Sequence, residues 1–187
     1  MTRDPMDGAA ACRFAVHRSA AAGLWAQEQA AAWVGRTGRD LLLAWRAPAA
    51  LIAGPYDARL PHFGTASTSL ETAGWPVLLR RSGGTACPVT PSTLQLAMVR
   101  RATPASTVDG AYAELVALLR RVLGDIGIAI EVGTVAAAFC PGRYDLSVGG
   151  RKLAGLSQRW SLHAGRRVVA TLASLNVQED PGVLADA

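Results

Sequence analysis

Two side chains invite a chemical reading before any element is assigned: Cys140 and Lys152. The chain carries 19 Lys plus Arg, and Lys152 is its only lysine, so arginine serves wherever a surface cation suffices. Lysine presents a compact ammonium and can titrate when its surroundings help, whereas guanidinium does neither. An ammonium beside a thiol raises the thiolate fraction; the thiolate attacks acyl carbonyls, and a neutral amine can accept or return the proton. On residue types alone the plainer readings stay open. A cysteine commonly packs as a small hydrophobe, and an arginine-biased chain can retain one lysine by chance.

A second stretch could serve the same chemistry. Val77 to Arg81 reads as a short strand running into Ser82-Gly83-Gly84-Thr85. A glycine pair permits positive φ and close backbone approach, so an anion or acyl group could lie against this loop. Most such loops are simply turns. Glu28 sits on a helical run and reads as a solvated helix charge.

The elements that must position these groups follow from pattern. Ala20 to Val34 is rich in helix formers, with Leu24, Ala31 and Val34 on one face. Leu41 to Trp45 and Ala49 to Ala53 suit short buried strands, and Thr93 to Val99 suits another. Thr107 to Leu123 is the clearest helix. Val108, Tyr112, Leu115, Leu119 and Val122 repeat at helical spacing, Ser106 with Asp109 resembles a capping box, and Gly124 and Gly127 end it. Ile128 to Val132 alternates as a strand. Tyr144 to Val148, Gly149-Gly150 and Arg151 to Leu156 read as a β-hairpin whose return leg could bring Lys152 within reach of Cys140. A second hairpin turns near His163-Ala164-Gly165 and returns over Arg167 to Val177. The expectation is an α+β single domain with a mixed, mostly antiparallel sheet and helices packed on one face. Residues 1–19 are expected to be a flexible N-terminus ending in a short strand, 20–177 the domain, and 178–187 a disordered tail.

Bulk properties narrow the classes. At 187 residues the chain fits one domain. No run of eighteen apolar residues occurs, and the first nineteen residues lack a signal-peptide core, so neither a membrane nor export is expected and the cytoplasm is the default. Cys12, Cys87 and Cys140 are odd in number and widely spaced, which suits neither a disulfide framework nor a metal site. The net charge of +5 favours acidic partners. Nucleic acid is not expected, because the arginines are scattered and no helix-turn-helix, zinc-finger or RNA-recognition signature is present.

Leu79 to Ala86 together with Pro141-Gly142-Arg143-Tyr144-Asp145-Leu146 and Gly150-Arg151-Lys152-Leu153-Ala154-Gly155 through Arg159 resembles the biotin/lipoate protein ligase superfamily, in its lipoate ligase and octanoyltransferase branch. Two motifs in order, about sixty residues apart, are far more specific than either alone. Phe139-Cys140-Pro141-Gly142-Arg143-Tyr144-Asp145-Leu146 is most similar to the cysteine amidotransferases that move an octanoyl or lipoyl group from the glycine cleavage H protein to other lipoyl domains. The resemblance implies that Cys140 becomes an acyl-thioester, with Lys152 beside the acyl carbonyl. It also implies an acyl site built from Arg81, Ser82, Gly83, Gly84, Thr85, Tyr144, Asp145 and Gly155. The implied partners are acidic lipoyl domains, including those of 2-oxoacid dehydrogenase E2, or acyl carrier protein. No cofactor is implied for amidotransfer, whereas ATP and Mg would serve an ATP-dependent lipoate ligase, the first alternative. Against that alternative, the ligases' third loop glycine is Thr85 here, and their His-Asp is Val89-Thr90. Cys87 is then most simply a packing residue. A second alternative is a non-catalytic protein that binds acyl chains or lipoyl domains.

Overall fold

The computed structural model describes residues 11–136 and 138–177. Among the described residues ten strands form two sheets, accompanied by three α-helices. β1 (Ala11–Val16) leads into α1 (Ala20–Thr37), followed by β2 (Leu41–Arg46), β3 (Ala50–Ala53), α2 (Phe63–Thr72), β4 (Val77–Leu79), β5 (Cys87–Val89) and β6 (Thr93–Arg101). After α3 (Val108–Gly124) come β7 (Glu131–Val132), β8 (Leu146–Val148), β9 (Arg151–His163) and β10 (Arg166–Asn176). The large sheet has the order β1-β2-β6-β10-β9-β8-β7, and the small sheet the order β4-β3-β5. In the large sheet only β1 and β2 pair in parallel, as expected of a mostly antiparallel α+β domain.

The helices do not share one face, which corrects the sequence expectation. Successive strand residues point to opposite faces, and β6 divides its side chains accordingly. Ala97 and Val99 pack with Ala30, Ala31 and Val34 of α1, whereas Leu96 packs with Leu115, Val116 and Leu119 of α3. The large sheet therefore carries a helix on each side, and each side has its own apolar cluster. The small sheet joins the α1 side through Ile52 and Val89.

The short strand expected at the end of the N-terminal segment is β1, paired along Leu41 to Arg46. The tail at 178–187 and residues 1–10 lie outside the described residues. In α3 the buried stripe is Ala111, Leu115, Val116 and Leu119, while Val108 and Val122 are exposed, because the helix is rolled relative to the simplest heptad reading. Its cap is Thr107, whose hydroxyl accepts from the Gly110 amide at 3.0 Å; Ser106 instead accepts from the Thr103 amide. The ten residues of α2 bury no side chain, which is why no apolar period announced them. Among the described residues, no helix is long and apolar enough to cross a membrane.

Candidate active site

The hairpin places Lys152, and a β-bulge aims it. β8 pairs with β9 as Ser147↔Lys152 and then Leu146↔Ala154, so Leu153 is the extra residue opposite Leu146. In a bulge two neighbouring residues share one side. Here Leu153 and Ala154 both turn toward the α3 cluster, and Lys152 and Gly155 turn to the α1 side. Without the extra residue, strict alternation would put Lys152 on the same side as Ala154. Gly155 then gives it space: a Cβ there would stand 3.2 Å from Lys152 Cε and 3.3 Å from Nζ.

Lys152 is held at three points. Nζ donates to the Phe139 carbonyl at 3.0 Å and the Cys140 carbonyl at 2.7 Å, and pairs with Asp145 Oδ2 at 3.0 Å. Both side chains are buried, at 5% and 1% exposure. An ammonium has three donors and no acceptor, so all three are taken. Asp145 Oδ2 also accepts from the Gly142 amide at 2.9 Å, tying the Cys140 loop to the same carboxylate. A role for Lys152 on a substrate carbonyl requires that one of these bonds be exchanged.

This clamp fixes Cys140 in an unusual conformation. Its φ is +45°, the left-handed region, which costs a non-glycine residue about 1–3 kcal/mol and persists only where surroundings over-determine it. The thiol is thereby turned toward the glycine loop, where Sγ accepts from the Thr85 amide at 3.2 Å. Gly84 separates loop from thiol at φ +94°, and a Cβ there would sit 3.0 Å from Sγ.

Cys140 and Lys152 open into one cavity between α1, the small sheet and the α1 side of the large sheet. It is bounded by Leu24, Ile52, Val89, Leu156 and Leu172 along its apolar walls. Ser82, Gly83, Gly84 and Gly155 line it as well. Ser82 is buried and accepts from the Ser157 hydroxyl at 3.1 Å. Cys87, read from sequence as packing, also lines the cavity, and burial pushes its thiol up while the Arg80 charge opposes this. Gln95 Nε2 donates to the Ser174 hydroxyl at 2.7 Å on the same wall.

Two expected residues lie elsewhere. Arg81 is exposed and faces Glu28 at 3.8 Å, outside the cavity; Glu28 also lies 3.6 Å from Arg159. Its neighbour Arg80 enters instead, donating to the carbonyls of Ile52 at 2.8 Å, Gly83 at 3.1 Å and Thr85 at 2.6 Å. Adjacent residues at a strand end point to opposite sides, so the Arg-Arg pair signalled that one would enter without saying which. Tyr144 stacks on Tyr112 at 4.1 Å, and its hydroxyl donates to Asp109 Oδ1 at 2.6 Å, on the α3 side of the sheet. The Tyr144 hydroxyl and Arg143 together hold the exposed Asp109 carboxyl below its ordinary range.

The same arrangement of elements occurs in solved structures. A lipoate-protein ligase A bound with ATP superposes with a TM-score of 0.78 over 95% of this chain and 70% of its own, at 14% identity. A T. acidophilum protein with bound lipoic acid gives a TM-score of 0.73 over 94% of this chain and 71% of its own, at 15% identity. In sequence the chain is similar to enzymes named octanoyl-[GcvH]:protein N-octanoyltransferase. The match with that of Exiguobacterium sibiricum is 37% identical over 58% of this chain and 40% of the relative. With that of Geobacillus kaustophilus it is 34% identical over 58% and 39%. The chain thus spans about two fifths of the length of these curated relatives. The model of the lipoyl protein ligase A/B catalytic domain matches residues 19–186, nearly the whole chain, and the protein belongs to that family.

Proposed function

We propose that this protein transfers an octanoyl or lipoyl group onto the lysine of a lipoyl domain through a thioester on Cys140. The observation that carries the reading is the Cys140 thiol, in a strained loop, facing a backbone amide at 3.2 Å inside an apolar cavity. A backbone N–H aimed at sulfur holds the nucleophile in one orientation at the cavity wall. The thiolate attacks the donor's acyl carbon, forming the C–S bond; the C–N bond of an amide donor, or the C–S bond of a carrier thioester, breaks, and the departing group takes a proton. In the second half the acceptor's amine attacks the thioester carbon, loses a proton, and returns Cys140 as thiolate. Lys152 lies where one of its three donors could pass from a backbone carbonyl to the developing oxyanion. The acyl chain would lie along Leu24, Ile52 and Val89. ATP and Mg have no part in these steps. The net charge of +5 would suit an acidic lipoyl domain as donor and as acceptor, and the relatives are named for GcvH as the octanoyl carrier.

The test is intact mass after incubation with an octanoylated H protein or octanoyl-carrier protein, without ATP. The expected result is one octanoyl adduct that survives denaturation and is lost in Cys140→Ala. If every donor leaves the protein unmodified, or if acyl transfer persists in Cys140→Ala and requires ATP, the covalent reading fails.

A further inference from the structure

The geometry points to Arg80 as the positioning residue that aims the Thr85 amide at the Cys140 sulfur and so sets the reactivity of the thiol near neutral pH. The inference rests on Cys140 being the nucleophile, but its test uses no acyl donor.

Arg80 follows β4 directly, and its own amide donates to the Ala53 carbonyl at 3.0 Å, so its backbone is an extension of the small sheet. From that fixed base the guanidinium forks across two segments. One arm donates to Ile52 on β3, and the others donate to Gly83 and Thr85 on either side of Gly84. Holding the Gly83 and Thr85 carbonyls pins the peptides on either side of the Gly84–Thr85 peptide, and so restricts the direction of the Thr85 N–H that this middle peptide carries. That N–H meets Sγ at 3.2 Å. The guanidinium itself passes behind the glycine, with Nη2 4.0 Å from Sγ. Gly84 leaves just enough room, since a Cβ there would lie 2.7 Å from Nη2 and 3.0 Å from Sγ.

Arginine is needed for the fork as well as for the charge. A lysine ammonium is a point donor and cannot span carbonyls on two separate segments in this way. The other charged or titratable groups around the thiol are Lys152, paired with Asp145, and Cys87 on β5. Arg143 turns away to Asp109. None of these holds the glycine loop, so Arg80 is the group whose loss would release Thr85 while leaving the Lys152 clamp in place.

Site-resolved alkylation of the full chain by iodoacetamide, followed across pH by peptide mass spectrometry, tests this. In Arg80→Lys and Arg80→Gln, Cys140 should react about tenfold more slowly near neutral pH, the order of one charge-assisted hydrogen bond. The rates should converge with wild type in strongly alkaline solution, and exposed Cys12 should be unchanged. Gly84→Ala, which must displace either the guanidinium or the sulfur, should give the same profile and carries the test if Arg80→Gln does not fold. A Cys140 profile that overlays wild type in folded Arg80→Lys overturns the inference. If the alkylation shift is seen but wild type forms no acyl adduct in the separate intact-mass experiment, the inference stands and the acyl-transfer reading fails.

Discussion

At the scale of single residues, the pair that attracted attention in the sequence divides its work unequally. Lys152 does not approach the thiol with a free amine; its three donors are spent on two backbone carbonyls and Asp145. It clamps the loop on which Cys140 adopts φ +45°. Asp145 is the counterpart that makes a buried ammonium tolerable, and removing one partner of a buried pair costs more than the pair contributes. Asp145→Asn should therefore lower the unfolding free energy by about 3–5 kcal/mol in urea titration. The same variant should lose Cys140 acylation. Replacement within about 0.5 kcal/mol would mean that the carbonyls alone hold Lys152.

Among the elements, α3 has no part in the chemistry but sets the back of the sheet that carries it. Leu115 is fully buried against Leu96 and Leu146, directly behind β8 and its bulge. Leu115→Ala should destabilise the fold by about 2–5 kcal/mol, read from thermal or urea unfolding. Most of these elements were legible. The 3.6-residue period gave both long helices, and the glycine pair gave the β8–β9 turn at Gly149-Gly150. The roll of α3 was less so, because Ala111 and Val116 compete with Tyr112 and Val122 for the inward face and only packing chooses. α2 left no trace, since a helix with no fully buried side chain and, of its apolar residues, only Phe63 and Leu70 half-buried has no sustained apolar stripe.

For the molecule as a whole, two apolar clusters on opposite faces of one sheet leave the cavity on the α1 side only, under the small sheet. That enclosure shows in Cys87. Burial raises the pKa of its thiol above the ordinary value of 9.0, so in alkali the unfolded chain loses this proton before the native one does. The contribution is fully present below about pH 9 and is lost as pH rises through the native value. Wild type should therefore lose stability from pH 9 upward more steeply than Cys87→Ala, as measured by urea midpoints along a pH series. Parallel alkaline limbs would mean that the thiol is solvated.

The sequence by itself determined which residues could react and the order in which they meet: a glycine loop, a cysteine, an aspartate and a lysine across a tight turn. It determined the α+β class as well, because periodicity and turn chemistry are local. The tertiary structure decided orientation. One extra residue in β9 put Lys152 on the cavity side, and the end of β4 turned Arg80 inward and Arg81 out toward Glu28. Tyr144, adjacent in sequence to Asp145, went to the other side of the sheet with Asp109. Each of these is a choice between two faces, and a strand's alternation is indifferent to which face is which until bulges, registers and packed helices fix it.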